Sequence, residues 1–460
     1  MLRLLLALAG IATAQQRYQI DTNDNIRAAA RDLAYQVMSY YHGNVSGNII
    51  GILDGPPDSG RGEYYWWQAG ALWGTMIDYW HLTGDDTYNN LVTQALLAQV
   101  GEHRNYQPRN WTASLGNDDQ GFWGMSVMLA AEEKYPDPPP DQPQWLELAQ
   151  AVWNTQQERI DYDTCGGGLR WQIPYGNRGF DYKNSIAQGI FFNMGARLAH
   201  YTDNKTYAEQ AEIIYDWSTN IGLIDEEYNV WDGVHVGDNC TEVSMQPYSY
   251  SNAVFILGLA YMYDFTKDQK WRTRLDGFLN TTIATYFKNE TAIEPQCELS
   301  QTCKTDMFTY KGYVHRWLST ATQIVPDLSD TILPLLRKSA QSCVNQCTGT
   351  EVGKICGFAW ASGVNDGLYG AGQQMDALAA VSSLLIDSSK GPVANSTGGT
   401  SQGNPSAGIG TGSVIPELPR VTTGDKAGAG IVTVAILALA TYSLWFICTG
   451  DTVREVARQK

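Results

Sequence analysis

The sequence predicts an all-α fold, an (α/α)6 barrel made of six helical hairpins. Two observations over residues 20–387 support this prediction: apolar residues recur at helical spacing, and one turn pattern repeats along the segment. Residues 24–41 show the spacing, because steps of three and four residues place apolar side chains on one stripe of a helix. The residues on that stripe are Ile26, Ala30, Leu33, Val37 and Tyr41.

The repeated pattern is a helix rich in aromatic residues that ends at a threonine, followed by a polar turn and a new helix. In the clear copies an aromatic residue stands five positions after the threonine: Thr83 with Tyr88, Thr202 with Tyr207, and Thr266 with Trp271. Looser copies pass positions 135 and 326. The spacing of about 50–65 residues fits one helical hairpin per repeat. Six hairpins can close into a ring around a cavity, and an open helical solenoid with the same repeat count is the alternative.

The first 14 residues are predicted to be a secretory signal peptide. Arg3 supplies the positive start, Leu4 to Ile11 form the apolar stretch, and Ala12-Thr13-Ala14 fits a cleavage site. The apolar run is too short to span a bilayer.

Residues 15–387 form the predicted barrel domain, and residues 388–424 differ sharply in composition. Gly, Ser, Thr and Pro make up 23 of these 37 residues. Such a segment buries little apolar surface, so we predict a flexible linker.

Residues 425–460 are predicted to be a membrane-attachment segment. Ile431 to Cys448 contains 18 residues without a charge, and small residues precede it. This layout predicts a GPI-attachment signal with attachment at Gly424. The basic residues that follow, Arg454, Arg458 and Lys460, favour the alternative of a retained transmembrane span.

The composition excludes some classes of partner. The chain of 460 residues has 31 Lys plus Arg against 48 Asp plus Glu, a net charge of −17, which argues against nucleic-acid binding. Aromatic residues make up 11% and charged residues only 17%. A surface rich in aromatic residues and poor in charge suits neutral sugars, whereas a large core filled with aromatic residues is the alternative. We expect a monomer.

The chain has eight cysteines, and Cys448 is the one within the tail. Behind a signal peptide the others are expected to form disulfides. We predict the pair Cys297–Cys303 and a second pair within Cys343, Cys347 and Cys356; one of the seven thiols is left over. Seven sequons for N-glycosylation support the secretory route, at Asn44, Asn110, Asn204, Asn239, Asn280, Asn289 and Asn395.

The segment Gly116–Gly124 carries the chemistry in our interpretation. Its adjacent carboxylates, Asp118 and Asp119, can reach one pocket only at a helix start, because neighbouring helical residues point about 100° apart. The helix N-terminus stabilises one anion, and its charge raises the pKa of the second carboxyl group. One ionised and one protonated carboxyl group are what a retaining glycosidase needs. Simple helix capping is the alternative.

Other segments that combine Gly, amide or charged groups with aromatic residues begin predicted helices on the same rim. We predict that they contact a sugar substrate through hydrogen bonds and ring stacking. The predicted binding residues are Asn117, Trp123, Arg170, Trp171, Asn184, Gln188, Asp232, Tyr250, Lys311, Arg316 and Gln373. The six histidines show no metal-ligand spacing and no cofactor fingerprint is present, so neither metal nor cofactor is predicted.

These motifs resemble glycoside hydrolase family 76. The resemblance rests on Asn117-Asp118-Asp119-Gln120 with Trp123-Gly124, on Tyr182-Lys183-Asn184-Ser185-Ile186, and on Tyr310-Lys311-Gly312. It covers about residues 20–387, and the termini are similar to those of the fungal GPI-anchored cell-wall branch. One departure is Tyr248-Ser249-Tyr250-Ser251 where the family pattern has Trp-Ser-Tyr-Asn, with Asn252 one place later. The charged end after the tail is another.

The resemblance implies an (α/α)6 barrel and retaining cleavage of α-1,6-mannosidic bonds, with Asp118 as nucleophile and Asp119 as general acid/base. It implies a role in fungal cell-wall biogenesis, as a transglycosidase that moves proteins from their GPI-anchor glycan to wall β-glucan. The donor would then be α-1,6-mannan or the GPI glycan, and the protein would be anchored at the plasma membrane or in the wall. A non-catalytic glycan receptor and a structural surface protein are the alternatives.

Overall fold

The computed structural model describes residues 18–57, 60–350, 353–411 and 421–458, so the predicted signal peptide lies outside the described residues. The chain divides into two compact units, residues 1–415 and 416–460. The first unit contains α1 (Asn23–Met38), α2 (Trp66–Thr83), α3 (Asn89–Ala98), α4 (Asn117–Glu132), α5 (Trp145–Glu158), α6 (Ser185–Thr202), α7 (Lys205–Asn220), α8 (Ser249–Thr266), α9 (Gln269–Tyr286), α10 (Tyr310–Ile324), α11 (Ser329–Asn345) and α12 (Ala371–Ser382).

The helices form two concentric rings. Even-numbered helices form the inner ring, in which α2 packs on α4, α4 on α6, α6 on α8, α8 on α10 and α10 on α12. Helix α12 also packs against α1 and α2, which closes the ring. The predicted (α/α)6 barrel is therefore confirmed, and the open solenoid is excluded.

Burial follows the position of each helix in the two rings. The inner helix α8 buries all residues from Ser249 to Met262, on every side, as expected for a helix surrounded by others. The outer helix α1 buries one stripe, which includes Ile26, Leu33 and Val37, and exposes the opposite side. The stripe seen in the sequence is thus the side of α1 that packs against the inner ring.

The repeated threonine turns lie together at one end of the barrel, where inner helices lead to outer helices. The hydroxyl groups of Thr83 and Thr266 donate to carbonyl groups four residues earlier, at 2.5 and 2.6 Å. Residues with left-handed backbone then end these helices: Gly84 (φ 78°) after α2 and Lys267 (φ 56°) after α8. These connections are short, which explains why the repeat is visible in the sequence.

Long loops lead from outer to inner helices at the other end, and we call this end the groove face. They carry the short strands of the fold. Strands β1 (Tyr182–Asn184), β2 (Trp231–His235) and β3 (Val243–Pro247) form an antiparallel sheet in that order. Two small hairpins complete the strands: β4 (Phe287–Lys288) with β5 (Thr291–Ala292), and β6 (Thr348–Thr350) with β7 (Gly353–Ile355).

The disulfides lie in the loops of the groove face. The structure has Cys297–Cys303, the predicted local pair, and Cys347–Cys356, a pair from the predicted group of three. A third bond, Cys165–Cys240, joins two loops that are 75 residues apart in sequence, and sequence spacing alone did not predict it. Cys343 is a buried free thiol.

The first part of the predicted linker differs from its prediction. Residues 389–411, which we call the strap, lie along α5 with Ser401 and Ala407 buried. The Ser401 hydroxyl accepts from the Leu146 amide at 3.0 Å, and Asn154 donates to the Ala407 carbonyl at 2.8 Å. A Cβ on Gly408 would lie 2.6 Å from the Ala151 carbonyl oxygen. The small residues in the strap therefore permit close packing rather than flexibility.

The second unit contains α13 (Thr423–Arg458), which includes Gly424. Thr423–Ile447 is long and apolar enough to cross a membrane, with a mean hydropathy of 2.0, by length and composition. Of the seven predicted glycosylation sites, six asparagines are exposed, and Asn204 is half-buried as the N-cap of α7.

Candidate active site

A groove opens on the groove face at the N-terminal ends of five inner helices. Its volume is about 430 Å³, within the range of small-molecule sites, roughly 300–1,000 Å³. The residues that line it are Tyr65, Trp67, Asp118, Asp119, Phe122, Trp171, Gln172, Asn177, Arg178, Tyr182, Asn184, Asp232, Tyr248, Tyr250, Asp306, Met307 and Tyr310.

Asp118 lies in the first turn of α4 and is held at both oxygen atoms. Its Oδ1 accepts from the backbone N–H of Asp119 at 2.8 Å. Its Oδ2 accepts from the side-chain amide of Asn184, the N-cap of α6, at 2.7 Å. These two donors fix the carboxyl group and favour its anion.

Asp119 caps the same helix and leaves one oxygen free. Its Oδ2 accepts from the Gly116 backbone N–H at 2.7 Å, whereas its Oδ1 has no hydrogen bond within the described residues. A Cβ on Gly116 would lie 2.3 Å from Asp118 Oδ1 and 2.6 Å from Asp119 Oδ2. Those two oxygens therefore lie within 4.9 Å of each other, the sum of these distances. Only glycine leaves room for both carboxyl groups.

The two carboxyl groups differ in their affinity for a proton. Burial raises the pKa of Asp118 to about 7, although the hydrogen bonds from Asn184 and the Asp119 amide oppose this rise. Burial, and then the negative charge of Asp118, raise the pKa of Asp119 well above its ordinary value. Asp118 is therefore the first of the pair to ionise, and Asp119 retains its proton.

A buried network behind α4 fixes this helix start. The guanidinium group of Arg159, at the end of α5, donates to the Asn117 side-chain oxygen at 2.8 Å and also to Gln120. Gln156 donates to the Asn117 backbone carbonyl at 2.7 Å. Asn117 is 1% exposed, so it positions the first turn of α4 and does not line the groove, in contrast to its predicted role in binding.

Four of the eleven predicted binding residues line the groove: Trp171, Asn184, Asp232 and Tyr250. Trp171 is 37% exposed on the rim, as a sugar-stacking residue requires. Burial raises the pKa of Asp232, and the Tyr182 hydroxyl, which donates to it at 2.7 Å, opposes this shift. The pairing of β1 with β2 brings Tyr182 and Asp232 together, although they are about 50 positions apart in the sequence.

One wall of the groove consists of stacked aromatic rings. Tyr250 and Tyr310 stack with ring centroids 3.8 Å apart and an angle of 4° between planes. Phe122 lies parallel to Tyr250 at 6.2 Å and also contacts Trp67 at 4.4 Å. Stacked rings give a flat apolar surface of the kind that contacts the C–H face of a sugar.

Asp306 is a third carboxyl group close to Asp118 and Asp119, and no sequence pattern predicted it. It accepts from the Trp67 indole N–H at 2.9 Å, and burial raises its pKa to about 6. Its charge contributes to the raised pKa values of Asp118 and Asp119. The sequence contained one signal for Asp306: it stands four residues before the motif at Tyr310, in the loop that leads to an inner helix.

Three predicted binding residues in the first half of the barrel lie outside the groove. Trp123 is fully buried and stacks between Trp66 and Tyr106, at centroid distances of 5.0 and 5.4 Å. Gln188 is buried and pairs with both backbone groups of Leu169 at 2.8 Å.

Arg170, the third of these, forms an ion pair with Asp161 at 2.7 Å and lies over the Phe180 ring at 4.5 Å. It supports the loop that carries Trp171 and does not line the groove.

The three predicted binding residues in the last third of the barrel are also directed elsewhere. Lys311 is fully buried, forms an ion pair with Glu298 at 3.1 Å and lies over Phe358 at 3.7 Å. Gln373 is 4% exposed beside Gly370. Helical geometry explains both positions. Successive side chains on a helix point about 100° apart, so the neighbour of a residue that faces the groove is directed away from it.

Arg316, the last of these, belongs to a group that we call the axial cluster: Asp78, Glu132, Arg197 and Arg316. It lies deeper in the barrel, towards the C-terminal ends of the inner helices. Arg316 pairs with Asp78, and Arg197 donates to Glu132 through two nitrogens at 3.0 and 2.6 Å. A cavity of about 20 Å³, the size of one water molecule, is lined by Asp78, Arg197 and Arg316 of this cluster.

Metal-ligating atoms come together at one place in the described residues, at Cys343, Cys347 and Cys356. Two of these three sulfur atoms form a disulfide with each other. The groove itself presents carboxyl groups, amides and aromatic rings, which suit a neutral, hydroxyl-rich ligand.

Comparison with known proteins identifies relatives over nearly the whole chain. The family model described as Glycosyl hydrolase family 76 matches residues 25–396. Mannan endo-1,6-alpha-mannosidase DCW1 of Eremothecium gossypii is 41% identical over 448 residues, 96% of this chain and 97% of that protein. The protein of the same name from Saccharomyces cerevisiae is 39% identical over 93% of this chain and 94% of its own length.

Solved structures resemble the barrel as well. The crystal structure of Dfg5 from Chaetomium thermophilum in complex with glucosamine is 53% identical, with a TM-score of 0.83, and covers 86% of this chain and 98% of that one. An inactive variant of the α-1,6-mannanase GH76A from Salegentibacter, in complex with α-1,6-mannotriose, is 16% identical with a TM-score of 0.62. It covers 78% of this chain and 99% of its own, and it shows the shared fold.

Proposed function

The chain belongs to glycosyl hydrolase family 76, and from this premise we propose that it is a retaining endo-α-1,6-mannosidase of the fungal cell surface. The observation that carries the proposal is the pair Asp118 and Asp119 at the floor of the groove, close together and unequal in proton affinity. The curated relatives, 39–41% identical over most of both chains, bear the name of that activity.

The geometry supports a double-displacement reaction. Ionised Asp118 attacks the anomeric carbon of the mannose while protonated Asp119 gives its proton to the departing glycosidic oxygen. A covalent glycosyl-enzyme forms, and Asp119, now ionised, removes a proton from the acceptor that releases the sugar. Retaining enzymes place their carboxyl groups about 5–5.5 Å apart so that both reach one sugar. Asp118 Oδ1 and Asp119 Oδ2 lie at most 4.9 Å apart, so this pair is close enough to act on one sugar.

The acceptor decides between hydrolysis and transfer. We propose transfer, with the glycan of a GPI-anchored protein as donor and wall β-glucan as acceptor. The aromatic wall of Tyr250 and Tyr310 offers a surface on which a sugar acceptor can displace water. The carboxyl groups of Asp232 and Asp306 beside the catalytic pair also suit an amino sugar, and the Dfg5 neighbour was crystallised with glucosamine.

Substitution of each catalytic carboxyl group tests the proposed reaction. We expect Asp118→Asn and Asp119→Asn each to lower turnover of α-1,6-mannan oligosaccharides by at least about 10³-fold. The matched control is Asp163→Asn, an exposed aspartate in a loop of the same face, which should retain full activity. NMR of the first product should show retention at the anomeric carbon.

Transfer is measured by mass spectrometry of the products formed with a β-glucan oligosaccharide in the reaction. Full activity in both catalytic variants would overturn the mechanism. A wild-type protein that binds mannan and forms no product would favour the glycan-receptor alternative.

A further inference from the structure

The strap determines where the chain leaves the barrel. It starts at the end opposite the groove, where the Val393 N–H donates to the last carbonyl of α4, that of Glu132, at 2.8 Å. It then passes the first turn of α5, where Ser401 accepts from Leu146. Farther along the helix, the Asn404 N–H donates to Gln150 at 2.6 Å.

The strap ends on the groove face. The Gly410 N–H donates to Glu158, the last residue of α5, at 2.9 Å. The neighbouring Arg159 contacts Asn117 at the first turn of α4, next to the catalytic pair. The strap therefore carries the chain along the height of the barrel, about 20 Å for a helix of 14 residues, and brings it to the level of the groove.

This path shortens the segment of chain between the barrel and the apolar helix α13, and we call this segment the tether. Eleven residues separate Thr411 from Thr423, and a chain of that length spans at most about 40 Å. Had the chain left the barrel at Ser388, 34 residues, or at most about 120 Å, would separate the barrel from α13. The tether therefore starts on the side of the catalytic groove and is short.

A second observation on the same face points to an apolar contact surface. Among the described residues up to 411, the three most exposed large apolar side chains are Met245 (65%), Leu299 (65%) and Val364 (67%). All three lie in loops that lead from outer to inner helices, and therefore on the groove face. The five short connections at the opposite end carry no exposed large apolar side chain in the described chain. The groove face therefore presents exposed apolar side chains that the connections at the opposite end lack.

We propose that the partner of the groove face is the lipid bilayer in which the enzyme is anchored. The strap turns the groove towards the bilayer, and the enzyme acts on glycans attached to lipids close to the membrane surface. The proposed orientation is the same for a GPI anchor near Gly424 and for a retained transmembrane span, because both would attach the protein to the membrane at the end of the tether that meets α13. It rests on the proposed function for its substrate, whereas the orientation of the barrel can be measured without any substrate.

The experiment uses the full chain inserted through its apolar helix into phosphatidylcholine vesicles that contain an acceptor fluorophore on the lipid. Matched labels are placed at Asp163→Cys on the groove face and Asp86→Cys at the opposite end, both exposed aspartates in wild type. We expect stronger energy transfer from position 163 than from position 86. Equal transfer, or stronger transfer from position 86, would overturn the proposal.

A strap variant, Asn154→Ala with Ser401→Ala, removes contacts far from the groove and should reduce the difference between the two labels. We expect it to cleave a glycolipid donor in the same vesicles about 3–10-fold more slowly and to cleave a soluble mannan oligosaccharide at the wild-type rate. An unchanged rate on the vesicle donor would contradict the role of the strap. A wild-type protein inactive on both donors would refute the proposed function and leave the label measurement valid.

Discussion

The buried carboxyl groups of the axial cluster and the carboxyl groups of the groove differ in their surroundings. In the axial cluster each carboxylate faces an arginine: Asp78 pairs with Arg316, and Glu132 pairs with Arg197. The four carboxyl groups of the groove, Asp118, Asp119, Asp232 and Asp306, form no ion pair within the described residues, and burial raises all four pKa values.

This difference distinguishes carboxyl groups that stabilise the fold from carboxyl groups that can take part in catalysis. A carboxylate paired with arginine contributes to the arrangement of the helices. A buried carboxyl group without a cation can bind and release a proton near neutral pH, which general acid catalysis requires. The unpaired carboxyl groups of the groove also line a cavity, unlike Asp376 and Glu294, which are buried elsewhere and form no ion pair within the described residues. Four variants test the comparison between the groove and the axial cluster.

The largest expected effect concerns stability in the axial cluster. Arg316→Met leaves Asp78 buried without its cation, so we expect the free energy of unfolding to fall by about 3–5 kcal/mol in denaturant titrations. The control Arg31→Met breaks an exposed pair with Asp85 and should cost less than about 1 kcal/mol. Similar losses in both variants would remove the distinction between the axial cluster and a surface pair.

The second effect concerns the space shared by the carboxyl groups of Asp118 and Asp119. Gly116→Ala places a methyl group against both Asp118 and Asp119 and displaces them, so we expect kcat/KM to fall by about 10²-fold. The backbone at Gly116 has φ −94°, which alanine also adopts, so the collision alone should cause the loss. Gly237→Ala, where a Cβ would meet nothing within 4 Å, should leave kcat/KM unchanged.

The third effect is a gain of stability on removal of a groove carboxyl group. Asp119→Asn keeps an oxygen that can cap Gly116 and removes an acid that burial disfavours as an anion. Because the folded pKa of Asp119 is raised, the folded state keeps its proton while the unfolded state loses it above about pH 4. This carboxyl group therefore lowers stability increasingly as pH rises.

We expect Asp119→Asn to raise the free energy of unfolding by about 0.5–2 kcal/mol at pH 7 and by less at pH 4. Thermal unfolding at the two pH values measures the gain. A gain that does not grow with pH would show that Asp119 is ionised in the folded protein.

The smallest effect is a shift in pH dependence. Asp306→Asn removes a negative charge near Asp118, which lowers the pKa of Asp118. The acid limb of kcat/KM should move to lower pH by less than about 1 unit, because burial is the larger cause of the raised pKa. The Asp163→Asn variant should show the wild-type profile. A shift to higher pH would contradict the electrostatic role of Asp306.

Local patterns predicted the features that depend on neighbouring residues. The threonine turns gave the correct hairpin count because inner-to-outer connections are short and repeat their hydrogen bonds. The adjacent pair Asp118 and Asp119 was recognisable because a single helix start positions both groups.

Features that depend on distant residues could not be predicted in the same way. The Trp67–Asp306 hydrogen bond joins residues 239 positions apart, and no local motif signals it. Lys311 and Arg316 were misassigned because composition near a helix start does not specify which side faces the groove. The strap was misassigned because glycine and serine favour close packing on a helix as readily as flexibility.

The placement of the disulfides has a consequence for when activity arises during biosynthesis. All six paired cysteines lie in loops of the groove face, and none lies within an α-helix. In a reducing compartment the loop of Trp171 and the loop of Asp232 lack the Cys165–Cys240 bond that joins them. We therefore expect the groove to reach its active arrangement only where Cys165 and Cys240 are oxidised, in an oxidising compartment.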